Sequence, residues 1–326
     1  MAASLLKEGL HPTLTEYVIK LLQKNYITTV FSFVNIDTYR LSKITNMTML
    51  GIGIIKRSLL KRFAGFLISK AVLIARRQPS FTTTGTSDVD KLLQGGLLRG
   101  HIYELCGESL TGKTQFCLSI AAHVAYEYRQ LVYYIDTKCD FSANRIQQLL
   151  ERHYSGAPVR TIVYAMNRIK VERVFSPELL VQVVQDLAST DISEVTATPK
   201  LLIIDSLPAL WFLLHNSKSS SKRLGLLTKL VCALRRFAAR HLVSVVLVNL
   251  AVPAYGKQRR RRIASTGVHP ALGRFWESAP GTRLLMQKKG EKVLIRVWKS
   301  SYLRSKAHKE VRITNTGFLS NPTKKN

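Results

Sequence analysis

The sequence has few acidic residues, few cysteines and no long apolar run, and each shortage excludes a class of protein. Its 20 aspartates and glutamates are outnumbered by 49 lysines and arginines, so the formal net charge is +29. A chain this basic requires polyanionic partners, with nucleic acid first and a membrane surface second. No stretch approaches the ~20 consecutive apolar residues of a transmembrane helix. We therefore expect no membrane partner.

The four cysteines are far apart and include no C-x-x-C pair. This spacing argues against a zinc site and is typical of proteins from a reducing, intracellular compartment. Hydrophobic residues make up 46% of the 326-residue chain, which is enough for a sizeable core. The length accommodates one α/β domain of ordinary size and a small accessory domain.

The most informative stretch is Gly107–Thr114, which matches the G-x-x-x-x-G-K-[ST] phosphate-binding loop. It follows a predicted buried strand, His101–Leu105, and precedes a predicted helix, Gln115–Tyr128. Backbone N–H groups of such a loop and the N-terminus of the helix can hold a triphosphate. We expect Lys113 to contact the β- and γ-phosphates of ATP, and the Thr114 hydroxyl to bind Mg²⁺. The predicted cofactor-binding residues are Gly107, Glu108, Ser109, Leu110, Thr111, Gly112, Lys113 and Thr114.

The alternative interpretation of this stretch is a glycine-rich turn that binds nothing. The strand, loop and helix in this order favour a nucleotide site, because the order places the orphan N–H groups of the helix at the loop.

Composition divides the chain into four parts. We predict a small helical domain over residues 1–62, a linker over 63–80, an α/β core over 81–320 and a polar tail over 321–326. The apolar part of the linker either continues a helix or docks on a neighbouring subunit.

Two local patterns stand out in the helical domain. Thr13-Leu14-Thr15-Glu16 fits a capping box at a helix start, and Asn25 is a plausible helix end. Gly51-Ile52-Gly53 precedes a basic helix predicted over Ile54–Phe63. This segment is typical either of a hairpin that holds a DNA backbone or of a turn between two helices.

After residue 81, apolar runs of strand length alternate with amphipathic runs of helix length. Beyond the phosphate-binding loop, the predicted strands are Leu131–Asp136, Thr161–Met166, Lys200–Asp205, Val243–Leu250, Thr282–Gln287 and Val293–Trp298. The predicted helices are Phe141–His153, Pro177–Thr190 and Lys222–His241. The alternation predicts a mostly parallel sheet with helices on both faces, and the last strands predict an antiparallel extension of it.

Asp205 ends the apolar run Leu201–Ile204. In phosphate-loop proteins a carboxylate at the end of such a strand holds Mg²⁺ through water. The alternative is an ordinary aspartate that caps a loop. With the phosphate-binding loop upstream, we predict Thr114 and Asp205 as the metal-binding residues.

Four segments closely resemble the RecA-type recombinases of the eukaryotic and archaeal branch. They are residues 81–125, YYIDTKCDFSANRIQQLL, LLIIDSLPALW and PALGRFWESAPGTRLLM. The last of them is most similar to the D-type paralogue of the eukaryotic strand-exchange recombinase. The resemblance implies a RecA-like phosphate-loop NTPase core preceded by a small helical domain, with ATP and Mg²⁺ as cofactors.

Two positions depart from the pattern of that family. Active members have a glutamate that activates the attacking water, whereas this chain has Lys138. A lysine with an ordinary pKa of about 10.4 is protonated at neutral pH and cannot accept a proton. Leu250 replaces a polar residue that senses the γ-phosphate. We therefore expect this chain to bind ATP and to hydrolyse it weakly, and we assign no catalytic residue. Asp140, two residues after Lys138, is a candidate substitute for the missing base. The alternative interpretation is a working ATPase whose catalytic residues lie at other positions.

Two insertions, about 213–223 and 254–269, fall where the family has its DNA-binding loops. The second carries the predicted DNA-binding residues Lys257, Arg259, Arg260, Arg261 and Arg262. A flexible arginine run neutralises phosphates and makes binding strongly salt-dependent. A nuclear localisation signal and a merely solvated loop are the other interpretations. We expect Arg283 to lie near the nucleotide or a subunit boundary.

The resemblance implies an ATP-binding DNA-repair protein of the nucleus that binds single-stranded DNA. It also implies homologous recombination, other recombinase paralogues as partners in a hetero-oligomeric complex, and action on a recombinase filament. The alternative is a self-sufficient DNA-dependent ATPase that catalyses strand exchange. A third candidate, a phosphate-loop protein unrelated to DNA such as a small-molecule kinase, is disfavoured by the +29 charge.

Overall fold

The computed structural model describes residues 5–63, 80–189, 198–212, 220–253 and 267–320. The chain divides into two compact units, Met1–Gln78 and Pro79–Asn326. Most of the predicted linker and the whole predicted tail lie outside the described residues.

The described part of the first unit is helical and has a core of its own. Its helices are α1 (Glu16–Lys24), α2 (Val30–Asn35), α3 (Thr38–Thr45) and α4 (Met49–Phe63). The N-cap of α1 is Thr15, whose hydroxyl accepts a hydrogen bond from the N–H of Val18, and its C-cap is Asn25 as predicted. The predicted capping box at Thr13 is wrong, because that hydroxyl bonds to His11 instead (2.8 Å).

Gly51 and Gly53 lie inside α4. Neither the DNA-binding hairpin nor the turn between helices is present there. Ile52, Ile55 and Leu59 are fully buried and continue one helical face through this segment. Their burial outweighs the cost of about 1 kcal/mol that a glycine adds inside a helix.

The second unit is built on one large sheet. A short pair, β1 (Phe81–Thr82) and β2 (Leu97–Leu98), stands apart from it. The strands of the large sheet are β3 (Ile102–Gly107), β4 (Val132–Asp136), β5 (Ile169–Arg173), β6 (Leu201–Asp205), β7 (Ser244–Pro253), β8 (Val268–Pro270), β9 (Thr282–Lys289), β10 (Lys292–Ser300), β11 (His308–Thr314) and β12 (Gly317–Ser320). Their order is β12-β11-β10-β9-β3-β7-β6-β4-β5, with β8 paired to β7.

Strands β9, β3, β7, β6, β4 and β5 are parallel to one another, and β10, β11 and β12 extend the sheet in antiparallel fashion. The helices of the unit are α5 (Ser87–Leu92), α6 (Lys113–Glu127), α7 (Ala143–His153), α8 (Val159–Asn167), α9 (Pro177–Ser189), α10 (Leu207–Phe212), α11 (Ser220–His241) and α12 (Arg274–Glu277). This is the predicted RecA-like architecture.

Helices cover both faces of the sheet, as predicted. Successive side chains of β7 point to opposite faces, so Val246 and Val248 join one core while Val245 and Leu247 join the other. Residues of α6, α7 and α8 complete the first core, and residues of α9 and α11 complete the second. Burial on both faces explains why the central strands have continuous apolar sequences.

The strand predicted over Thr161–Met166 is wrong, because these residues belong to helix α8. Ile162 and Ala165 are buried, whereas Val163 and Tyr164 between them are exposed, which is a helical period. The strand that follows is β5. It lies at the edge of the sheet with only Ile169 fully buried, so its sequence carries no apolar run.

Among the described residues, no helix is both long enough and apolar enough to cross a bilayer.

Candidate functional site

The loop Gly107–Thr114 connects the end of β3 to the start of α6. Gly112 has a φ angle of +88°, and a Cβ atom there would lie 2.2 Å from Cδ1 of Ile313. A Cβ atom on Gly107 would lie 2.6 Å from the carbonyl oxygen of Met286. Contact with the main chain requires glycine at position 107, and the positive φ angle favours it at position 112. The strand, loop and helix follow one another as predicted.

The loop itself holds the amine of Lys113. Nζ donates hydrogen bonds to the carbonyl oxygens of Gly107 (2.8 Å) and Glu108 (2.5 Å), and to Oγ1 of Thr111 (3.3 Å). Burial lowers the pKa of Lys113, and the charge on Lys138 lowers it further. Thr114, the second residue of α6, is half-buried beside it.

Asp205 stands at the end of β6, next to Asp136 at the end of β4. Its side chain is 1% exposed, and Oδ2 accepts a hydrogen bond from the Tyr134 hydroxyl (3.1 Å). Oδ1 accepts no hydrogen bond from any described residue, and it lies 3.4 Å from Nζ of Lys138. A buried carboxylate oxygen without a donor needs a cation or water to offset its desolvation.

The residues present fit an ATP–Mg²⁺ ligand. Mg²⁺ keeps several waters and binds through one or two carboxylates together with phosphate oxygens, so a cage of protein ligands is not needed. Accordingly, the described residues contain no cluster of three or more histidine, cysteine, aspartate or glutamate side chains. Asp205 and Thr114 supply oxygen ligands of the required type, and Lys113 and the loop supply phosphate donors.

Lys138 lies just after β4, with its side chain one-third exposed. Nζ donates a hydrogen bond to Oδ2 of Asp140 (2.5 Å) and forms the 3.4 Å ion pair with Asp205. Burial alone would lower the pKa of Lys138, but the carboxylates of Asp205 and Asp140 outweigh burial and hold it above its ordinary value. The side chain is therefore a cation at neutral pH. Asp140, the alternative base, is occupied by this cation.

The side chain of Asp136 holds the turn that positions Lys138. From the sequence, Asp136 was predicted only as the end of a strand. Its side-chain oxygens accept hydrogen bonds from the N–H groups of Lys138 (3.1 Å), Asp140 (3.2 Å) and Phe141 (3.1 Å). The signal available in the sequence was an acidic residue between a buried strand and a short polar turn, which is the pattern of a turn-capping aspartate.

On strand β7, which lies between β3 and β6, Leu250 has no polar side chain, and its N–H donates a hydrogen bond to Oδ1 of Asn249 (2.8 Å). The amide of Asn249 donates to the buried carboxylate of Glu104 (2.5 Å). Trp276 donates to the same carboxylate oxygen of Glu104 (2.6 Å). The Asn249 side chain is thus directed into the protein core rather than toward a ligand.

Arg283 belongs to the same buried network. It is 4% exposed, and its Nε donates to the other carboxylate oxygen of Glu104. Its guanidinium also lies 5.8 Å from the ring centroid of Trp298. The described contacts of Arg283 thus lie inside the domain, and its expected place near the nucleotide or a subunit boundary stays a prediction.

Residues 75–320 match the sequence profile of the Rad51 family, and residues 3–62 match that of the RAD51D N-terminal domain. The chain belongs to the Rad51 family. It is 33% identical over 286 residues to the DNA repair protein RAD51 homolog 4 of Bos taurus, covering 86% of this chain and 84% of the relative. The Mus musculus homolog 4 is 31% identical over 288 residues, with the same coverage. The meiotic recombination protein DLH1 of Candida albicans is 27% identical over 278 residues, or 83% of each chain.

These matches confirm the resemblance to RecA-type recombinases and to their D-type paralogue. In this Rad51-family chain the predicted DNA-binding residues Lys257, Arg259, Arg260, Arg261 and Arg262 lie outside the described residues. So does most of the first insertion. Its end, Ser220–Arg223, is the first turn of α11, where Lys222 pairs with Glu178 (2.8 Å). That part of the predicted loop is therefore helix.

Proposed function

We propose that this chain is an ATP-binding DNA-repair protein of the recombinase-paralogue type. It binds single-stranded DNA and promotes homologous recombination in the nucleus, as part of a complex with other paralogues that acts on a recombinase filament. Its own ATP hydrolysis is weak. The observation that carries this proposal is Lys138 beside Asp205 at the phosphate-binding loop of a Rad51-family chain.

ATP binding is supported by the loop geometry. The N–H groups at the start of α6 and the amine of Lys113 hold the phosphates. Gly107 and Gly112 let the loop pack closely against Met286 and Ile313. Thr114 and Asp205 would hold a Mg²⁺ ion, which would neutralise charge and orient the phosphates.

Weak hydrolysis follows from the side chains around the position of the attacking water. General-base assistance is typically worth about 10²–10⁴-fold in rate. Lys138 is a cation held by Asp140 and Asp205, so it cannot take up a proton. Leu250 cannot hydrogen-bond through its side chain. In this protein ATP acts as a ligand that stabilises the conformation with the higher affinity for it.

DNA binding is supported by the +29 charge and by the arginine run at 259–262. The relatives are named for DNA repair and for meiotic recombination. These names support DNA repair, recombination and a nuclear location for this chain as well.

A protein partner is supported by apolar residues exposed on and just after the edge strand β5. Val171 of β5 is 39% exposed, and Phe175, two residues after the strand, is 56% exposed. Edge strands with exposed apolar side chains are sites where a further chain can add. These residues fit docking of another paralogue.

ATP turnover with and without single-stranded DNA tests the proposal, with wild type compared to Lys113→Ala and Lys138→Glu. We expect wild type to bind ATP and turn it over slowly, Lys113→Ala to lose binding, and Lys138→Glu to raise the rate. Fast, DNA-stimulated hydrolysis by wild type that Lys138→Glu does not increase would instead support the self-sufficient ATPase.

A further inference from the structure

Lys138 lies at the point where two parts of the candidate site meet. Its Nζ is bonded to Asp140 and lies 3.4 Å from Oδ1 of Asp205, the carboxylate oxygen that has no hydrogen-bond donor among the described residues. The phosphate-binding loop follows β3 at the same carboxyl edge of the parallel sheet as Lys138 and Asp205. Besides burial, the charge of Lys138 lowers the pKa of Lys113 in this loop. One ammonium group is thus within electrostatic reach of both the loop lysine and the carboxylate that we assign to Mg²⁺.

We propose that Lys138 is a tethered cation that takes over much of the role of Mg²⁺ in binding ATP. The affinity of this chain for ATP then depends only weakly on divalent ions. This inference rests on the proposed ATP binding and goes beyond it, because it says which cation neutralises the phosphates.

The hydrogen-bonding capacity of Lys138 fits this role. An ammonium has three N–H donors. Within the part of the chain that the structure describes, Asp140 takes one of them and Asp205 lies near a second. No described residue is recorded on the third, and we assign it to a phosphate oxygen. The side chain is one-third exposed, so it is open to a ligand on one side while the two carboxylates hold it on the other.

The charges around the loop favour the same conclusion. Two lysines, Lys113 and Lys138, lie among three carboxylates, those of Asp136, Asp140 and Asp205. A glutamate in place of Lys138 would make this group more negative by two charges, which is the charge that one Mg²⁺ ion neutralises. The lysine therefore supplies through the chain what a divalent ion would otherwise supply from solution. Like charges repel strongly in a partly buried site, so Lys138 and a divalent ion compete for Asp205.

Equilibrium binding of ATP to the full chain tests the inference. Calorimetric titrations are made in excess EDTA and in excess Mg²⁺, with wild type, Lys138→Ala and Lys138→Met, the last of which keeps the aliphatic stem. We expect the wild-type Kd to change by less than ~3-fold between the two buffers, whereas both variants lose ~10-fold or more in EDTA and recover in Mg²⁺. The ATP-induced rise in Tm is a second readout, and in EDTA it should be smaller for both variants than for wild type at the same ATP concentration.

Lys309→Ala is the matched control, because it removes the same charge from an exposed lysine on β11. It should behave as wild type in both buffers. Two results would overturn the inference. In the first, ATP binding by wild type depends on Mg²⁺ as strongly as ATP binding by Lys138→Ala does. In the second, Lys138→Ala binds ATP more tightly than wild type in both buffers, which would show that Lys138 hinders ATP binding. If no form binds ATP in either buffer, the proposed ATP binding itself is wrong, and the inference is overturned with it.

Discussion

Arg283 and Glu104 form an ion pair inside the second unit, where the two side chains are 5% and 0% exposed. The residues lie on neighbouring parallel strands, β9 and β3, which place them directly side by side. Trp276 and Asn249 donate hydrogen bonds to the remaining carboxylate oxygen. The pair therefore links β3, β7, β9 and the short helix α12, and β3 is the strand that leads into the phosphate-binding loop.

Removing one partner of this pair should destabilise the protein strongly. Arg283→Ala leaves the Glu104 carboxylate buried and uncompensated, which typically costs about 3–5 kcal/mol. Urea unfolding measures the change in the free energy of unfolding. Arg283→Leu combined with Glu104→Gln removes both charges and should recover part of the loss. Arg312→Ala, on an exposed arginine, is the control. A loss from Arg283→Ala no larger than that of the control would show that the pair contributes nothing to stability.

Gly112→Ala should abolish ATP binding, and Gly156→Ala should not. Both glycines have similar φ angles, +88° and +91°, so each substitution adds left-handed strain of about 1–2 kcal/mol. Only at Gly112 does the new Cβ meet another atom, Cδ1 of Ile313 at 2.2 Å, whereas nothing lies within 4 Å of Gly156. Calorimetric titration with ATP compares the two variants.

Ile313→Val removes the clashing Cδ1 atom. Combined with Gly112→Ala, it should raise the free energy of unfolding toward that of Gly156→Ala. Equal stability of Gly112→Ala with and without Ile313→Val would contradict the proposed clash.

Stability should fall as the pH is lowered from neutral. Burial lowers the pKa of His101, His123 and His241 below the ordinary 6.5. Between the folded and unfolded pKa values the unfolded state binds more protons, so the free energy of unfolding rises with pH there. The contribution of these neutral histidines to the free energy of unfolding is fully present above about pH 6.5. It is lost as the pH falls below that value, by at most about 1.4 kcal/mol per pH unit for each histidine.

His123→Gln tests this pH dependence, because it removes one of the three histidines with a lowered pKa. His123 forms hydrogen bonds with the hydroxyls of Thr83 (2.8 Å) and Tyr154 (3.1 Å). Urea unfolding between pH 5.5 and 7.5 should give a shallower pH slope than wild type. His308→Gln, at an exposed position on β11, should leave the slope unchanged. A wild-type slope of zero or of opposite sign would refute the prediction.

Changing the four arginines 259–262 to alanine should weaken binding of single-stranded DNA and reduce its salt dependence. For every phosphate that the variant no longer neutralises, the slope of log K against log salt should fall by about 0.7. Fluorescence anisotropy over a salt series measures both quantities. The matched control changes four exposed cations in the C-terminal part of the chain, Lys288, Lys289, Arg304 and Lys309. If the control lowers the slope as much as the arginine variant does, binding is a general effect of charge and the arginine run has no special role.

Local spacing was sufficient to predict the phosphate-binding loop, the alternation of strands and helices, and the approximate bounds of the central strands and the longer helices of the second unit. The loop could be recognised because its glycines, Lys113 and Thr114 lie within eight consecutive positions. The central strands could be recognised because burial on both faces makes their sequences continuously apolar. Prediction failed at Thr161–Met166, where a short amphipathic helix has as many apolar residues as a strand, and at β5, where an edge strand has almost none.

The sequence by itself determined the phosphate-binding loop, the charge of the chain and the presence of a lysine at position 138. Only the tertiary structure decided what that lysine contacts. Parallel pairing of β4 with β6 places Asp136 beside Asp205, and the turn held by Asp136 then brings Lys138 to the Asp205 carboxylate. The same is true of Glu104 and Arg283, which are far apart in the chain but adjacent across two strands. The physical reason is that sheet register joins residues from distant segments, and no short-range pattern in the sequence specifies that register.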